Sequence, residues 1–224
     1  MDIASGSPGR TLATGSGMAG RRLRFEFSLD KFVAVMTYLA DVGKIHDLTK
    51  LKAAKLLFFA DKTHLLRYGR PILGDRYVSM DHGPVPSAAL DLMNRLISPD
   101  EIEDPVREQL RTKLSVQRRP FAKNHPFRAR VHDEATYQHL SQTERGVLDE
   151  IIAAYGRKSV GELIDLTHQE HAWRVSDGTR PQGSCAPMPY ELFFEGEQTA
   201  DAKALREFAN AQQEDRDFIS SLSR

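Results

Sequence analysis

The stretch KLLFFADKTHLLRYGRPILGDRYVSMDHGPVPSAAL, from Lys55 to Leu90, decides the fold of this chain. Its run LLFFA is apolar all round, which is typical of a helix buried at the centre of a bundle rather than one lying on its surface. We predict that this helix begins at Thr49 and ends near Tyr68, because the YGRP sequence that follows disfavours its continuation. The other elements are expected to pack around it.

The segment after this helix predicts a small β-hairpin. Gly74-Asp75 lies between two short β-prone runs in ILGDRYVSM, and the HGPVPS sequence that follows is expected to form a turn. A helix over residues 87–97 should come next. We expect a second hairpin further along the chain, where the alternating segments TKLSVQRR and PFRARVHD flank PFAKNH.

Helix signals dominate the rest of the chain. Ser28 or Asp30 can cap a helix that ends near Gly43, and the apolar residues of this helix recur at steps of three and four. SQTE and SVGE are capping boxes, in which a serine and a glutamate satisfy the first free amides of a helix. A final helix is expected over residues 201–213.

Together these signals predict a mainly α fold: a compact helical domain with one or two small β-hairpins, α+β by strict count. We expect a single domain over residues 25–213, between a flexible N-terminal tail, residues 1–24, and a flexible C-terminal tail, residues 214–224. Both tails are rich in small and polar residues, which bury too little apolar surface to offset the entropy lost on ordering.

The composition falls in the range of soluble globular proteins and argues against several classes of protein. The 31 basic residues balance the 31 acidic ones, so no net field draws the chain onto nucleic acid or lipid. The single cysteine, Cys185, excludes an internal disulfide framework and a cysteine-rich zinc module. No apolar run approaches the ~20 residues of a membrane span, and the N-terminus lacks the apolar core of a signal peptide. We therefore predict a cytoplasmic protein.

Asp61, His64 and Tyr68 share one face of the central helix. An aspartate beside a histidine can orient the imidazole for general-base chemistry. No recognisable nucleophile or metal motif accompanies the pair, so we interpret these residues as structural. They would form a carboxylate–imidazole–phenol stripe that joins the helix to the hairpin through internal hydrogen bonds. We predict no catalytic residue, no metal and no cofactor.

Histidines form another candidate site. HQEH places His168 and His171 three residues apart, a spacing that can serve a metal when further ligands come from elsewhere. Trp173, two residues on, is expected to anchor a domain edge or a partner surface. An alternative function is therefore a metal-dependent hydrolase or nuclease that uses Asp61, His64, His82 and His168.

The basic segment QRRPFAK interleaves an aromatic residue with arginine and lysine, as proteins that bind single-stranded nucleic acid do. Acidic stretches such as DEIEDPVRE offset it, and no recognition helix of the helix-turn-helix type stands out. We interpret the segment as solvated surface. A DNA-binding regulator that uses Arg118, Arg119 and Lys123 stays a second alternative function.

Taken in order, three segments resemble the Panacea domain family, which includes the SocA antitoxin and phage-associated GepA-type proteins. The segments are KLLFFADKTHLLRYGRP, GDRYVSMDHGPVPS and LS…E…YG…S…L…LTHQEHAW. They span about Leu48 to Trp173. The chain departs from the family near the end of the hairpin, where the family often has an aromatic residue and this chain has Met80.

The resemblance implies an antitoxin, not an enzyme, which neutralises a toxin encoded beside it by binding that toxin. The SocA-like branch further implies a proteolytic adaptor that delivers the toxin to the ClpXP protease. The expected partners are therefore the toxin and, for the adaptor branch, ClpXP. No membrane is expected, and nucleic acid is a partner only under the DNA-binding alternative. The motif residues expected to support the structure or contact the partner are Asp61, His64, Tyr68, Tyr77, Asp81, His82, Gly83, Pro84, His168 and Trp173.

Overall fold

A computed structural model describes residues 22–99, 103–122, 124–197 and 200–222. Within these ranges the helices are α1 Leu29–Asp41, α2 Lys50–Tyr68, α3 Ser87–Ile97, α4 Pro105–Lys113, α5 Glu134–Tyr137, α6 Gln142–Tyr155, α7 Val160–His168, α8 His171–Asp177, α9 Glu191–Glu195 and α10 Ala200–Leu222. The strands there are β1 Tyr77–Met80, β2 Gly83–Pro86, β3 Leu114–Val116, β4 Phe127–Ala129 and β5 Ala186–Met188. The predicted mainly α fold with small hairpins is confirmed.

Helix α2 is the centre of the core, as its apolar sequence predicts. Most of its 19 residues are buried, and it packs against β2 and against helices α3, α6, α7, α9 and α10. It ends at Gly69, whose φ of 70° is the left-handed conformation that commonly closes a helix. No helix in the described part of the chain is both long and apolar enough to cross a membrane.

The helix caps match their sequence signals. The Ser28 side chain caps α1 by accepting a hydrogen bond from the Lys31 amide, which decides between the two predicted caps. Both capping boxes form, at the starts of α6 and α7. The last helix, however, continues to Leu222 instead of ending at Gln213, because the sequence between them has no glycine or proline to break it.

The limits predicted for the domain and its tails stay predictions. The N-terminal tail lies outside the described residues except for residues 22–24. Residues 214–222 of the predicted C-terminal tail continue α10. The flexibility of this tail stays a prediction.

The first hairpin is displaced from its predicted position. β1 and β2 pair antiparallel, from Tyr77 opposite Pro86 to Met80 opposite Gly83. Residues 81–82 therefore form the turn, and the predicted turn HGPVPS is mainly strand. β2 is the edge of a sheet with the order β2-β1-β5, where proline is tolerated.

The alternation of β2 explains how two prolines fit into this strand. The Ser87 amide donates to the Arg76 carbonyl at 2.9 Å, so residues 85 and 87 direct their backbone groups toward β1. Pro84 and Pro86 then face away from β1, where no amide is needed. The Pro84 carbonyl also faces away, and it accepts a hydrogen bond from Lys55 Nζ at 2.9 Å.

Asp75, predicted as a residue of the hairpin turn, is instead a buried cap of α3. Its Oδ1 accepts hydrogen bonds from the amides of Arg76 and Ala88 at 2.6 and 2.9 Å, and its Oδ2 accepts one from Ala89 at 2.8 Å. The residue at the N-cap of α3 is Pro86, whose side chain offers no acceptor. Asp75 thus satisfies the free amides of the first turn from outside the helix.

The second predicted hairpin is confirmed. β3 and β4 pair antiparallel, with Leu114 opposite Ala129. Strand β5 was not predicted: it lies in the proline-rich link and pairs with β1, with Ser79 opposite Ala186. Its position depends on a partner more than a hundred residues away, for which no local sequence pattern exists.

We expect Gly83→Ala to lower the free energy of unfolding by about 2 to 3 kcal/mol. Gly83 has a φ of 97°, and a Cβ there would lie 2.6 Å from Thr167 Oγ1 and 2.8 Å from Lys55 Nζ. Gly183→Ala is the matched control, because Gly183 also has a positive φ of 75° but has open space around it. Urea denaturation should show a smaller loss for the control, and equal losses would contradict the close packing at Gly83.

Candidate functional site

Asp61 ties α2 to the chain that follows it. Its Oδ1 accepts hydrogen bonds from the amides of Ile72 and Leu73 at 2.9 and 2.8 Å, and its Oδ2 accepts one from the Tyr77 hydroxyl at 3.1 Å. The Asp61 side chain is completely buried. Burial raises the pKa of Asp61 to about 7, although these hydrogen bonds favour the carboxylate. Asp61 therefore joins the helix to the hairpin, in agreement with the structural interpretation.

His64 makes its hydrogen bonds elsewhere, so Asp61 does not orient its imidazole. Nδ1 lies 2.7 Å from the Arg70 carbonyl and must donate to it, and Nε2 lies 3.2 Å from Thr143 Oγ1. The ring packs against Tyr68, with 4.6 Å between centroids, and Tyr68 is 40% exposed. The three residues share a helix face, as predicted, but they form two separate contacts. Burial lowers the pKa of His64, which favours the neutral imidazole.

Lys55 is a key residue that the sequence interpretation missed. It is completely buried in α2, and its Nζ donates to the Pro84 carbonyl at 2.9 Å. Burial lowers the pKa of Lys55 to about 7. It ties α2 to β2, as Asp61 ties α2 to β1. The available signal was a lysine inside AAKLLFFA, a run that is otherwise apolar in a helix predicted to be buried.

His168 and Trp173 form a stacked pair beside the hairpin. Their ring centroids are 3.9 Å apart with an interplanar angle of 9°. Trp173 Nε1 donates a hydrogen bond to the Met80 carbonyl at 3.2 Å, so the indole fixes the end of β1. His171 lies at the start of the next helix, 4.0 Å from Glu195. The two histidines of HQEH thus belong to different helices and different contacts.

The turn between β1 and β2 faces the solvent. Asp81 and His82 are exposed, whereas Gly83 and Pro84 are buried. The Asp81 carboxylate forms an ion pair with the Arg180 guanidinium at 2.7 Å. The four predicted residues from 81 to 84 therefore separate into two that are exposed and two that are buried beside α2.

The residues of the metal hypothesis are not brought together. Asp61 faces the amides that follow α2, His64 faces Arg70, His82 is exposed at the turn, and His168 stacks on an indole. In the described ranges, no group of three or more His, Cys, Asp or Glu side chains is arranged to hold a metal ion.

The basic residues of the DNA-binding alternative lie in the loop between β3 and β4. Arg118 and Arg119 are exposed there, and Lys123 lies outside the described residues. Arg118 Nη2 donates to the Ile97 carbonyl at 2.7 Å. The β3–β4 sheet that carries this loop is separate from the sheet of the β1–β2 hairpin.

The fold and these contacts define a scaffold, in which a buried central helix holds a hairpin with an exposed turn. The chain belongs to the family described as antitoxin SocA-like, Panacea domain, whose model matches residues 54–174, more than half of the 224 residues. The matched range includes Lys55, Asp61, the hairpin and Trp173, which confirms the resemblance. No curated protein and no solved structure matches the chain.

We expect Asp61→Asn to lower the free energy of unfolding less than Asp61→Leu. Asparagine keeps an acceptor oxygen for the amides of Ile72 and Leu73, whereas leucine leaves these amides without one. Each unsatisfied buried donor costs about 1 to 3 kcal/mol. Urea denaturation of both variants checks this expectation, and a leucine variant as stable as the asparagine variant would contradict the anchoring role.

The free energy of unfolding should increase as the pH rises above neutrality, because Lys55 is buried in the folded state. Its folded-state pKa of about 7 lies below the ordinary value of 10.5, so the unfolded state binds more protons between these values. The free energy of unfolding should therefore increase with pH in this window, by up to about 1.4 kcal/mol per pH unit. Lys55→Met should flatten the slope in urea denaturation between about pH 7 and 9.5.

Lys52→Met is the control for this measurement. Lys52 is also completely buried in α2, but its Nζ bonds to the Asp47 carboxylate at 2.7 Å. The Lys52 variant should keep the wild-type slope whatever its absolute stability. Parallel pH profiles for wild type and Lys55→Met would refute the assignment of the slope to Lys55.

Proposed function

We propose that this protein is an antitoxin that neutralises a toxin by binding it directly. Membership of the antitoxin SocA-like family over residues 54–174 is the observation that carries the proposal. The geometry supports it, because buried polar side chains of α2 are engaged in holding the β1–β2 hairpin. Lys55 and Asp61 in particular serve this purpose. A hairpin held in this way provides a rigid surface for a partner.

The proposed docking site is the hairpin surface, which comprises Asp81, His82, His168, Trp173 and Arg180. Two of its residues are exposed at the turn, and the tryptophan beside them is half-buried. Tryptophan and arginine are among the residues that most often dominate binding at protein interfaces, and the hairpin surface contains one of each. Because Lys55 fixes the hairpin from α2 and Trp173 fixes it from α8, little conformational entropy should be lost on binding.

The proposal is tested by co-expressing the protein with the product of the adjacent gene. We expect a stable complex on co-purification and rescue of growth. No complex and no rescue would refute direct neutralisation.

Variants locate the contact. The double variant Asp81→Ala/His82→Ala should weaken the complex about tenfold or more, as expected for loss of interface residues. Arg157→Ala, an exposed residue between α6 and α7, should leave it unchanged. Equal affinities of the two variants would show that the toxin does not dock on the hairpin surface.

Delivery of the toxin to ClpXP is a finer form of the same proposal. In an adaptor mechanism the toxin becomes shorter-lived when both the antitoxin and ClpXP are present. In simple sequestration its lifetime is unchanged or longer. A pulse-chase measurement of the toxin in cells with and without ClpXP distinguishes the two mechanisms.

A further inference from the structure

The β3–β4 hairpin has an outer face rich in arginine. Residues two apart on a strand point to the same side. Phe127 is completely buried, so Arg128 lies on the opposite, outer side of β4. Arg130 follows the strand directly, and its amide continues the β pairing by donating to the Lys113 carbonyl at 2.9 Å. Gln117 shares this side, because its Oε1 accepts a hydrogen bond from Arg128 Nη2 at 2.5 Å. Burial, and then the positive charge of Arg119, lower the pKa of Arg128.

Three arginines of this hairpin, Arg118, Arg128 and Arg130, donate to neutral carbonyl oxygens. Arg128 donates to the His46 carbonyl at 2.7 Å, and Arg130 donates to the Leu114 carbonyl at 3.3 Å. Among the described residues, no carboxylate forms an ion pair with any of the four arginines at positions 118, 119, 128 and 130. The nearby Asp47 carboxylate is itself bonded to Lys52.

This local excess of positive charge occurs in a chain of zero net charge. It is therefore a local property of the β3–β4 hairpin and not of the whole molecule. Guanidinium groups held in place without a carboxylate keep free N–H donors for an external anion. Their planar geometry suits phosphate oxygens in particular.

Phe121 lies in the loop at the tip of the same hairpin, and its side chain is fully exposed (107%). A phenyl ring in this position gives the fold no apolar burial. Proteins that bind single-stranded nucleic acid combine exposed aromatic rings with basic side chains. The rings stack on the bases, and the basic groups contact the phosphates.

We propose that the basic ribbon, defined as Arg118, Arg119, Phe121, Arg128 and Arg130, binds a single-stranded nucleic acid. The arginines contact phosphates and Phe121 stacks on a base. Arg128 and Arg130 are two residues apart along the extended chain, a spacing of about 6.8 Å that suits successive phosphates of an extended strand. The proposal does not rest on the antitoxin function, since the ribbon and the hairpin surface belong to different sheets.

The test is fluorescence anisotropy of the full-length protein with labelled oligo-uridine RNA and oligo-thymidine DNA. We expect binding that weakens roughly 50-fold between about 50 and 200 mM salt, the loss for four phosphate contacts to a single strand. Arg119→Glu and Phe121→Ala should each weaken binding about tenfold or more. Both side chains are exposed, so circular dichroism should show an unchanged fold.

Two matched variants serve as controls. Arg157→Glu makes the same charge change at another exposed arginine, and Phe218→Ala removes another exposed ring, 64% accessible on α10. Neither should alter the affinity for the oligonucleotides.

Three outcomes would overturn the proposal. The first is no binding of either oligonucleotide at low salt, or equal binding by Arg119→Glu, Phe121→Ala and the controls. The second is tighter binding of duplex DNA than of both single strands. The third is loss of the toxin complex in these two variants without any nucleic-acid binding by wild type, which would make the ribbon a protein interface.

Discussion

Two buried polar side chains on α2 hold the β1–β2 hairpin in its place. Asp61 accepts hydrogen bonds from the amides before β1 and from Tyr77 within it, and Lys55 donates to the carbonyl of Pro84 in β2. Loss of either group would leave polar atoms buried without partners. Because both groups project from the most buried helix, the position of the hairpin is determined by the core itself. The exposed turn between β1 and β2 is therefore held in a fixed position as well.

The predicted helices α1, α2, α3, α6, α7 and α10 carry local signals, whereas the shorter helices α4, α5, α8 and α9 were not predicted. The apolar run of α2 and the capping boxes of α6 and α7 each lie within a few residues of the structure that they specify. The first hairpin was placed wrongly for the same reason. Gly74-Asp75 is a good local turn signal, but Asp75 meets the amides of α3 instead. Strand β5 needs a distant partner, β1, and leaves no local mark in the sequence.

The candidate site was predicted in its residue types more than in its contacts. Helical spacing brings Asp61 and His64 onto one face, yet contact between them depends on the chain that packs against that face. The Arg70 carbonyl takes the imidazole, and the amides of the next residues take the carboxylate. Lys55 was overlooked because a lysine is normally solvated. Its buried Nζ is satisfied by the hydrogen bond to the Pro84 carbonyl, which is distant in the sequence.

The cap that Asp75 provides to α3 makes residues 75–89 a closed loop. Its two ends meet through the bonds of Asp75 to Ala88 and Ala89, and the paired strands lie between them. With both ends fastened at one point, the turn at residues 81–82 can change in length or sequence without displacing α3 or β1. Insertions and substitutions at this exposed tip should therefore be tolerated while the hydrophobic interior stays constant.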